Sequence, residues 1–238
     1  MERERVFQMI HGFNKTTLLD YPGHLAATIF LGGCNLRCPF CHNSTLVLSP
    51  KKQATIPEED IFTTLKKRQG ILEGVCITGG EPTLYSGLED LIIKIKDLGF
   101  LVKLDTNGSN PALIKKLLDN NLLDYIAMDI KNSKEKYPLT TGSPNANLDS
   151  ISESIDMLLN SSIDYEFRTT VVKEFHESSD FISIGNWIKG AKAYYLQNFQ
   201  DSAAVIYRGL SSYNISELKE FKSILVPFVE KVSIRGVE

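Results

Sequence analysis

The residues best suited to chemistry lie in one short segment, Cys34-Asn35-Leu36-Arg37-Cys38-Pro39-Phe40-Cys41-His42-Asn43. Its three cysteines have the spacing C-x3-C-x2-C and follow an apolar run and two glycines. Thiolates are soft ligands that bind iron–sulfur clusters, Zn or Cu(I). Three thiolates on one loop can converge on a single metal centre, and a four-iron cluster held by three thiolates keeps one iron open. An open coordination position is typical of a catalytic metal site.

The alternative for this segment is a zinc knuckle in which His42 is the fourth ligand. Adjacent Cys41 and His42 are awkward to direct onto one tetrahedral ion, and no second cysteine pair follows at zinc-ribbon spacing. The spacing therefore favours a cluster, although it leaves zinc open. The fourth cysteine, Cys76, lies in an apolar run and is predicted to be a small buried side chain and not a ligand.

Length and composition predict one globular domain. The chain has 238 residues, of which 42% are apolar and 23% charged, and its net charge of −3 argues against a nucleic-acid binder. It has no apolar run of about 18 residues, and its charged first residues lack the apolar stretch of a signal peptide. Four cysteines, three of them clustered, suit a reducing compartment. We expect a cytoplasmic protein that binds neither membrane nor nucleic acid.

Apolar runs and helical periodicity alternate along the chain. Residues 1–24 predict an N-terminal hairpin or lid, with a turn at Pro22-Gly23. Strands are predicted at 26–31, 74–78, 100–104, 125–128, 165–171 and 193–196, with a last one near 229–235. Helices are predicted at 57–69, 88–98, 110–118, 148–159, 179–189 and 214–225. Such alternation predicts an α/β fold with a parallel sheet, but six units alone do not distinguish a doubly wound sheet from an open barrel.

Three further polar motifs fall where predicted strands end, which is where α/β barrels place their active sites. Thr78-Gly79-Gly80-Glu81-Pro82 either lets a ligand approach the backbone or is an ordinary turn. Asp105-Thr106-Asn107-Gly108 and Met128-Asp129-Ile130-Lys131 follow the next two strands, and the first of them also suits an Asx turn. Two carboxylates at neighbouring strand ends need a positive charge between them, which a metal cation or Lys131 alone could supply.

A charged residue, Arg168, alternates with apolar residues in the fifth predicted strand. Burying an arginine is costly unless it has an anionic partner. One alternative is a bound molecule, which would offer a ligand carboxylate or a substrate backbone carbonyl. The other is an acid of the chain, Glu166 or another. Two histidines, His11 and His176, are predicted to lie at the surface.

The cysteine spacing, with Phe40 before the third cysteine, resembles the radical S-adenosylmethionine (radical SAM) enzymes, and the following His42-Asn43 resembles the glycyl-radical-enzyme activases. Further segments resemble the activases assigned to anaerobic ribonucleoside-triphosphate reductase. These segments are Thr16–Gly23, Asp129–Lys131, Phe167–Thr170 and Tyr195–Phe199. The resemblance covers nearly the whole chain and implies a partial (β/α)6 barrel of the radical SAM type. The chain departs from pyruvate formate-lyase activase at Gln200, near which that enzyme has a histidine that contacts SAM.

The resemblance also implies ligands for particular residues. Cys34, Cys38 and Cys41 would hold a [4Fe-4S] cluster whose fourth iron is chelated by SAM. The residues that it implies as SAM contacts are Phe40, His42, Gly79, Gly80, Glu81, Thr106, Asn107, Asp129, Ile130, Lys131, Arg168 and Gln200. A monovalent cation beside the SAM carboxylate would take Asp105, Thr106, Met128 and Asp129 as its ligands.

The activity that the resemblance implies is glycyl-radical formation. A one-electron donor such as flavodoxin or ferredoxin would reduce the cluster, SAM would be cleaved, and the resulting 5′-deoxyadenosyl radical would remove hydrogen from a glycine of a partner enzyme. Three alternatives stay open at this point. They are an activase for another partner such as pyruvate formate-lyase, a small-molecule enzyme like 7-carboxy-7-deazaguanine synthase, and a zinc-binding interaction protein.

Overall fold

The computed structural model describes residues 9–237 and shows strands and helices in alternation. The strands are β1 (Ile10–Thr17), β2 (Ala26–Leu31), β3 (Gly74–Gly79), β4 (Leu101–Thr106), β5 (Tyr125–Asp129), β6 (Asp164–Val171), β7 (Ala193–Asn198) and β8 (Lys231–Arg235). The helices are α1 (Ser44–Leu48), α2 (Glu58–Lys66), α3 (Leu88–Asp97), α4 (Pro111–Asp119), α5 (Tyr137–Thr141), α6 (Leu148–Leu159), α7 (Ser178–Trp187) and α8 (Ile215–Leu225). The strands lie in one sheet in chain order.

The residues group into two compact units, which are described in turn. The first comprises residues 9–35, 45–106 and 112–126, and the second comprises 36–44, 107–111 and 127–237. The expectation of a single domain stays a prediction.

In the first unit, β1 is antiparallel to β2, whereas β2, β3 and β4 are parallel. The segment predicted as a hairpin or lid, residues 1–24, contributes one strand, β1, whose partner β2 lies beyond the predicted bounds. Residues 1–8 of that prediction lie outside the described part. Five of the six residues of β2 and the first four of β3 are buried, as expected for strands covered on both faces. Helix α3 buries one apolar stripe, formed by Leu88, Leu91, Ile92 and Ile95.

In the second unit, β6, β7 and β8 are parallel, so their carboxyl ends face the same way. Helix α8 begins with the predicted capping box, in which Asn214 and Glu217 each accept the other's backbone N–H. Helix α7 has a second capping box, between Glu177 and Asp180, that the sequence reading did not predict. Ring stacking of Phe181 on Phe221 packs these two helices together.

The predicted elements are all present, with shifts of a few residues at their ends. Strands β4 and β7 each end two residues later than predicted, and β5 ends one residue later. Asp105 and Thr106 are therefore the last residues of β4, and Asp129 is the last residue of β5. Two short helices, α1 and α5, and 3-10 turns at Pro50–Lys52 and Pro82–Leu84 are additional. No helix within residues 9–237 is long and apolar enough to cross a membrane.

Candidate active site

The cysteine loop begins in the first unit, directly after β2. Gly33 has a φ of +89°, a left-handed conformation that glycine adopts without strain, and its N–H donates to the carbonyl of Leu46 at 2.8 Å. Cys34 follows and is partly exposed, with its Sγ 4.0 Å from Oδ1 of Asn35. The chain thus turns at Gly33 and presents the first thiol at the carboxyl end of β2.

The predicted glycine pair holds the start of this loop through its backbone. The N–H of Gly80 donates to the carbonyl of Leu31 at 2.8 Å, and the N–H of Glu81 donates to the carbonyl of Gly33 at 2.7 Å. A Cβ on Gly79 would lie 2.1 Å from the Leu31 oxygen, and one on Gly80 would lie 2.0 Å from the Gly33 oxygen. Both positions therefore require glycine for packing alone, and their contact with SAM stays a prediction.

Glu81 is a buried carboxylate that joins the ends of β3 and β4. Its Oε1 accepts hydrogen bonds from the backbone N–H of Thr83 at 3.1 Å and from the hydroxyls of Thr83 and Thr106. Buried carboxylates are stable only when they are satisfied in this way. Glu81 and Thr106, both predicted to contact SAM, thus fix each other's position.

Asp105 has a partner that the sequence reading missed. The ammonium of Lys103, a fully buried residue of β4, binds the Asp105 carboxylate. The same ammonium lies 3.7 Å from Sγ of Cys76 and 5.9 Å from the ring centre of Tyr125. A lysine in the middle of an apolar strand was the signal available in the sequence, because a buried ammonium needs an acid nearby.

The rest of the cysteine loop belongs to the second unit and is held by backbone hydrogen bonds. The N–H of Arg37 donates to the carbonyl of Thr141 at 2.8 Å, after which the N–H of Cys41 donates to the carbonyl of Cys38 at 3.0 Å. Residues 206 and 207 then donate to the carbonyls of Cys41 and Pro39. Cys38 is buried and Cys41 is partly exposed, so a defined backbone fixes both thiols.

Phe40 and His42, the two predicted aromatic contacts of SAM, have different surroundings. Phe40 is buried, with its ring centre 5.9 Å from that of Phe175. His42 is exposed, and its Nε2 is 2.7 Å from the backbone carbonyl of Gln200. The structure thus brings His42 and Gln200 together, but through the main chain of Gln200 and not its side chain.

Asp129 lies between two cations at the end of β5. Its Oδ1 accepts from Nε of Arg168 at 2.9 Å, and its Oδ2 accepts from Nζ of Lys131 at 2.9 Å. Burial alone would raise the pKa of Asp129, but attraction to the two cations outweighs it and lowers that pKa to about 2. These three residues, here called the positive set, comprise two positive charges and one negative charge.

Lys131 stays charged for a related reason. Burial alone would lower its pKa, but the negative charges of Asp129 and Cys38 outweigh burial and raise it above its ordinary value. The positive set is therefore electrostatically coupled to the second cysteine.

The neighbours of Asp129 in sequence have structural partners. Ile130 is buried, and its N–H donates to the carbonyl of Arg168 at 2.8 Å. Met128 is buried against Gly108, where an added Cβ would lie 2.0 Å from the Met128 methyl carbon. Oδ1 of Asn107 accepts from the N–H of Ser109 at 2.9 Å, which is the Asx turn considered above.

Arg168 pairs with an acid of the chain, Asp129. Glu166, the acid named in the prediction, receives a bidentate pair from Arg235 of β8, at 2.7 and 2.8 Å. The guanidinium of Arg235 also stacks on the ring of Tyr195, 3.4 Å from its centre. Pairing with an acid of the chain was one of the two alternatives, and it leaves contact of Arg168 with a ligand as a prediction.

The prediction that His176 lies at the surface is wrong. The residue is buried, with Nε2 2.9 Å from the carbonyl of Lys131 and Nδ1 3.2 Å from the N–H of Val172. Burial lowers its pKa, since an apolar environment disfavours the charged ring. His176 thus supports the backbone beneath Lys131. The other histidine, His11, is partly exposed.

The donor set fits an iron–sulfur cluster. All four cysteines lie within residues 9–237 and are thiols outside disulfide bonds, and three of them share one loop. Within the same residues, no three His, Cys, Asp or Glu side chains lie close enough together to bind a single metal ion. A [4Fe-4S] cluster takes each thiolate on a different iron, so its ligands need not converge on one point.

The donors for the predicted monovalent cation are already paired with cations of the chain. Asp105 binds Lys103, and Asp129 binds Lys131 and Arg168. A metal cation at Asp129 would be repelled by the nearby positive charges of Lys131 and Arg168. The pairing favours the alternative in which protein side chains supply the positive charge.

Known proteins resemble this chain in sequence and in fold. A family model described as the radical SAM superfamily matches residues 28–182. A relative in Methanocaldococcus jannaschii, named "putative glycyl-radical enzyme activating enzyme", is 32% identical over 240 residues, which is 96% of each chain. The pyruvate formate-lyase-activating enzyme of Clostridium pasteurianum is 26% identical over 195 residues, 79% of each chain. The structure of Streptococcus suis SuiB bound to S-adenosylmethionine shares the fold, with a TM-score of 0.65 at 15% identity over 85% of this chain and 48% of that one.

These matches confirm the predicted fold class, a partial (β/α)6 barrel of the radical SAM type, and the predicted cofactors, a [4Fe-4S] cluster and SAM. They also confirm that the chain is an enzyme. The chain belongs to the radical SAM superfamily and, within it, to the glycyl-radical-enzyme activating group.

Proposed function

We propose that this enzyme generates a glycyl radical on anaerobic ribonucleoside-triphosphate reductase. The relative that covers 96% of the chain supports the reaction class. The choice of reductase depends on the resemblance of Thr16–Gly23, Phe167–Thr170 and Tyr195–Phe199 to the activases of that enzyme. Pyruvate formate-lyase is the second candidate partner, because its activating enzyme is 26% identical to this chain.

The observation that carries the proposal is the positive set Asp129, Lys131 and Arg168 beside the cysteine loop. Lys131 is coupled to Cys38, and Lys131 and Arg168 converge on Asp129. Such a set would bind the carboxylate of SAM through charge-assisted hydrogen bonds from Lys131 and Arg168. Asp129 would then orient both cations and compete with the ligand for them.

The cysteine loop would hold the cluster through Cys34, Cys38 and Cys41. When bound, the cluster and SAM supply the carbon-centred radical that removes hydrogen from a glycine Cα. The chain's own part is to fix the thiols, to hold the SAM carboxylate and to keep water from the site. The electron that starts the reaction would come from a donor such as flavodoxin or ferredoxin.

Anaerobic reconstitution with iron and sulfide, followed by dithionite and SAM, tests the first half of the proposal. Release of 5′-deoxyadenosine is expected from the wild-type enzyme, and Cys38→Ala should reduce it to background because one thiolate of three is lost. Cys76→Ala is the matched control, since Cys76 is buried in β3 outside the loop. Equal loss in both variants would refute the ligand assignment.

Electron paramagnetic resonance tests the second half. The reduced enzyme and SAM are mixed with anaerobic ribonucleoside-triphosphate reductase or with pyruvate formate-lyase. A glycyl-radical doublet on the reductase alone supports the proposed partner. A doublet on pyruvate formate-lyase alone would reassign the partner. Cleavage of SAM with no doublet on either protein would contradict the proposed substrates.

A further inference from the structure

Tyr137, the first residue of α5, is a fully buried tyrosine with an unsatisfied hydroxyl. Its oxygen makes no hydrogen bond to any residue in the described range 9–237. Its ring meets that of Trp187 edge-on, with the ring centres 5.9 Å apart, so the aromatic part of the side chain is packed and only its polar end is not. Leaving a buried hydroxyl unpaired is unfavourable, and a redox or catalytic role is one reason why a native fold keeps such a group.

Helix α5 is attached to the cysteine loop through its last residue, and both belong to the second unit. The hydroxyl of Thr141 donates to the carbonyl of Tyr137 at 2.7 Å, and the carbonyl of Thr141 accepts from the N–H of Arg37 at 2.8 Å. At Gly142, directly after the helix, an added Cβ would lie 2.5 Å from the carbonyl oxygen of Arg37. Cys38 follows Arg37 in the chain, so a single turn of helix connects Tyr137 to the second predicted cluster ligand.

The charges that act on the Tyr137 hydroxyl belong to the active site. Burial raises the pKa of Tyr137, the ammonium of Lys131 lowers it, and the negative charges of Cys38 and Asp129 raise it, Cys38 more than Asp129. The backbone N–H of Lys131 also lowers this pKa, although it does not complete a hydrogen bond. The hydroxyl therefore keeps its proton at neutral pH and needs an acceptor for it, which the Lys131 ammonium cannot be.

Two acceptors are close enough to act on this hydroxyl electrostatically, Asp129 and Cys38. The two oxygens of Asp129 already accept from Arg168 and Lys131. The sulfur of Cys38 becomes a thiolate when it binds iron, and the sulfurs of iron–sulfur clusters accept hydrogen bonds that help to set the reduction potential. A hydrogen bond to a negative acceptor is stronger than one between neutral groups. The Cys38 sulfur is therefore the better acceptor.

We propose that the Tyr137 hydroxyl donates a hydrogen bond to the Cys38 sulfur once that sulfur is bound to the cluster, and thereby raises the reduction potential of the cluster. In the structure the two groups are coupled but not hydrogen-bonded, so the bond forms as the thiolate takes its place on iron. It stabilises the reduced state more, because an added electron makes the sulfurs more negative. The inference goes beyond the proposed function and uses from it only the assignment of Cys38 as a ligand.

A redox titration of the reconstituted enzyme, followed by electron paramagnetic resonance of the reduced cluster, tests this inference. Tyr137→Phe removes the donor and keeps the ring. At a fixed solution potential the ratio of reduced to oxidised cluster should fall about tenfold, which corresponds to a midpoint about 59 mV lower. The iron content per protein should equal that of wild type, because no ligand is lost.

Electron–nuclear double resonance gives a second readout that detects the proton itself. The enzyme is reconstituted in deuterium oxide and reduced, so that the hydroxyl carries a deuteron. A strongly coupled exchangeable deuteron should be present in the wild-type enzyme and missing from Tyr137→Phe. If that variant does not fold, the wild-type spectrum decides, since absence of such a deuteron would overturn the inference.

Tyr194→Phe is the matched control. Tyr194 is also fully buried, but its hydroxyl already donates to Oγ1 of Thr169 at 2.5 Å. Burial raises the pKa of Tyr194 and the bond to Thr169 lowers it. Removing this satisfied hydroxyl should lower the urea midpoint of the cluster-free protein and leave the ratio of reduced to oxidised cluster unchanged. Tyr137→Phe removes an unsatisfied donor, so it should not lower that urea midpoint.

Three results would overturn the inference. An unchanged ratio of reduced to oxidised cluster in Tyr137→Phe would show that its hydroxyl does not reach the cluster. An equal fall in Tyr137→Phe and Tyr194→Phe would assign the change to packing. A higher Kd of SAM in Tyr137→Phe, with an unchanged ratio, would assign the hydroxyl to SAM. Failure of the proposed function is recognised separately, because the potential is measured without a partner enzyme and the glycyl radical is measured with one.

Discussion

The carboxylates at the ends of β4 and β5 look alike in sequence but have different surroundings. Asp105 has a side chain that is 15% exposed, and it binds Lys103, which is only 2% exposed. Asp129 is 28% exposed and is shared by Lys131 and Arg168, which are 18% and 13% exposed. The cation of the first pair is enclosed, whereas all three members of the second set are partly exposed and two of them are cations.

The different surroundings of Asp105 and Asp129 suggest different roles: the first region supports the fold, and the second binds a ligand. In the first unit the Asp105–Lys103 pair and the Glu81 hydroxyl network turn their charges inward, where they fix strand ends. In the second unit the charges around Asp129 are partly exposed and suit an anionic ligand. Changes in the first region should therefore reduce stability, and changes in the second should reduce SAM affinity.

The largest effect is expected from Gly79→Ala in the scaffold region. The new methyl group would lie 2.1 Å from the Leu31 carbonyl, and Gly79 has a φ of +126°, which alanine rarely adopts. Backbone strain and overlap together should lower the free energy of unfolding by at least about 3 kcal/mol. Urea unfolding followed by circular dichroism measures the loss.

Gly99→Ala is the matched control for this substitution. Gly99 also has a positive φ, of +84°, but a Cβ there meets nothing within 4 Å. Its cost should be about 1 kcal/mol, from the left-handed conformation alone. Equal losses in the two variants would show that the contact between Gly79 and Leu31 contributes little.

The next largest effect is expected from substituting the lysine of each region, Lys103 or Lys131. Lys103→Met removes the enclosed ammonium that binds Asp105 and should cost about 3 kcal/mol of stability, as breaking buried ion pairs does. Lys131→Met leaves Asp129 bound to Arg168 and should cost less than about 1 kcal/mol of stability, but should raise the Kd of SAM about tenfold. Urea unfolding and equilibrium dialysis measure the two quantities. The distinction between scaffold and binding surface would be wrong if Lys103→Met weakened SAM binding and Lys131→Met lowered the free energy of unfolding.

Short-range patterns predicted most of the fold. Apolar runs such as 26–31 mark strands because burial on both faces excludes polar residues. The Asn214–Glu217 box is also local, and it lies where the sequence predicts it. Helix α5 was not predicted, because its five residues, Tyr137–Thr141, are too few to show a helical period.

The site was harder to predict wherever a role depends on residues distant in sequence. The partner of Arg168 is 39 residues away and that of Arg235 is 69 residues away, so no local pattern identifies either pair. His176 was predicted at the surface, but its ring is buried against the carbonyl of Lys131, which lies 45 residues away in sequence. The three ligand cysteines were identifiable because they lie in one continuous segment, where their spacing is visible in the sequence.

A smaller effect concerns the pH dependence contributed by Asp129. Its folded pKa of about 2 lies below the ordinary value of 3.8, so the stability it contributes is present above pH 4 and is lost as pH falls toward 2. Arg168→Gln removes one cation and should raise this pKa, which reduces the contribution at neutral pH. The difference in unfolding free energy between wild type and variant should be about 1 kcal/mol at pH 7 and should shrink as the pH falls below 3. Urea unfolding of the cluster-free wild type and variant, at pH 7 and below pH 3, measures this difference. A difference that does not change with pH would contradict the ion pair between Asp129 and Arg168.

The smallest effect is the response to monovalent cations. Because Lys103, Lys131 and Arg168 already bind the two carboxylates, replacing sodium and potassium by tetramethylammonium at constant ionic strength should change SAM cleavage by less than about twofold. Lys131→Met should make the reaction respond to potassium, because the variant has lost one positive charge beside Asp129. Dependence of the wild-type enzyme on potassium would show that a cation enters despite these pairs. Constant ionic strength matters here, since general screening would otherwise weaken the binding of the SAM carboxylate in every salt.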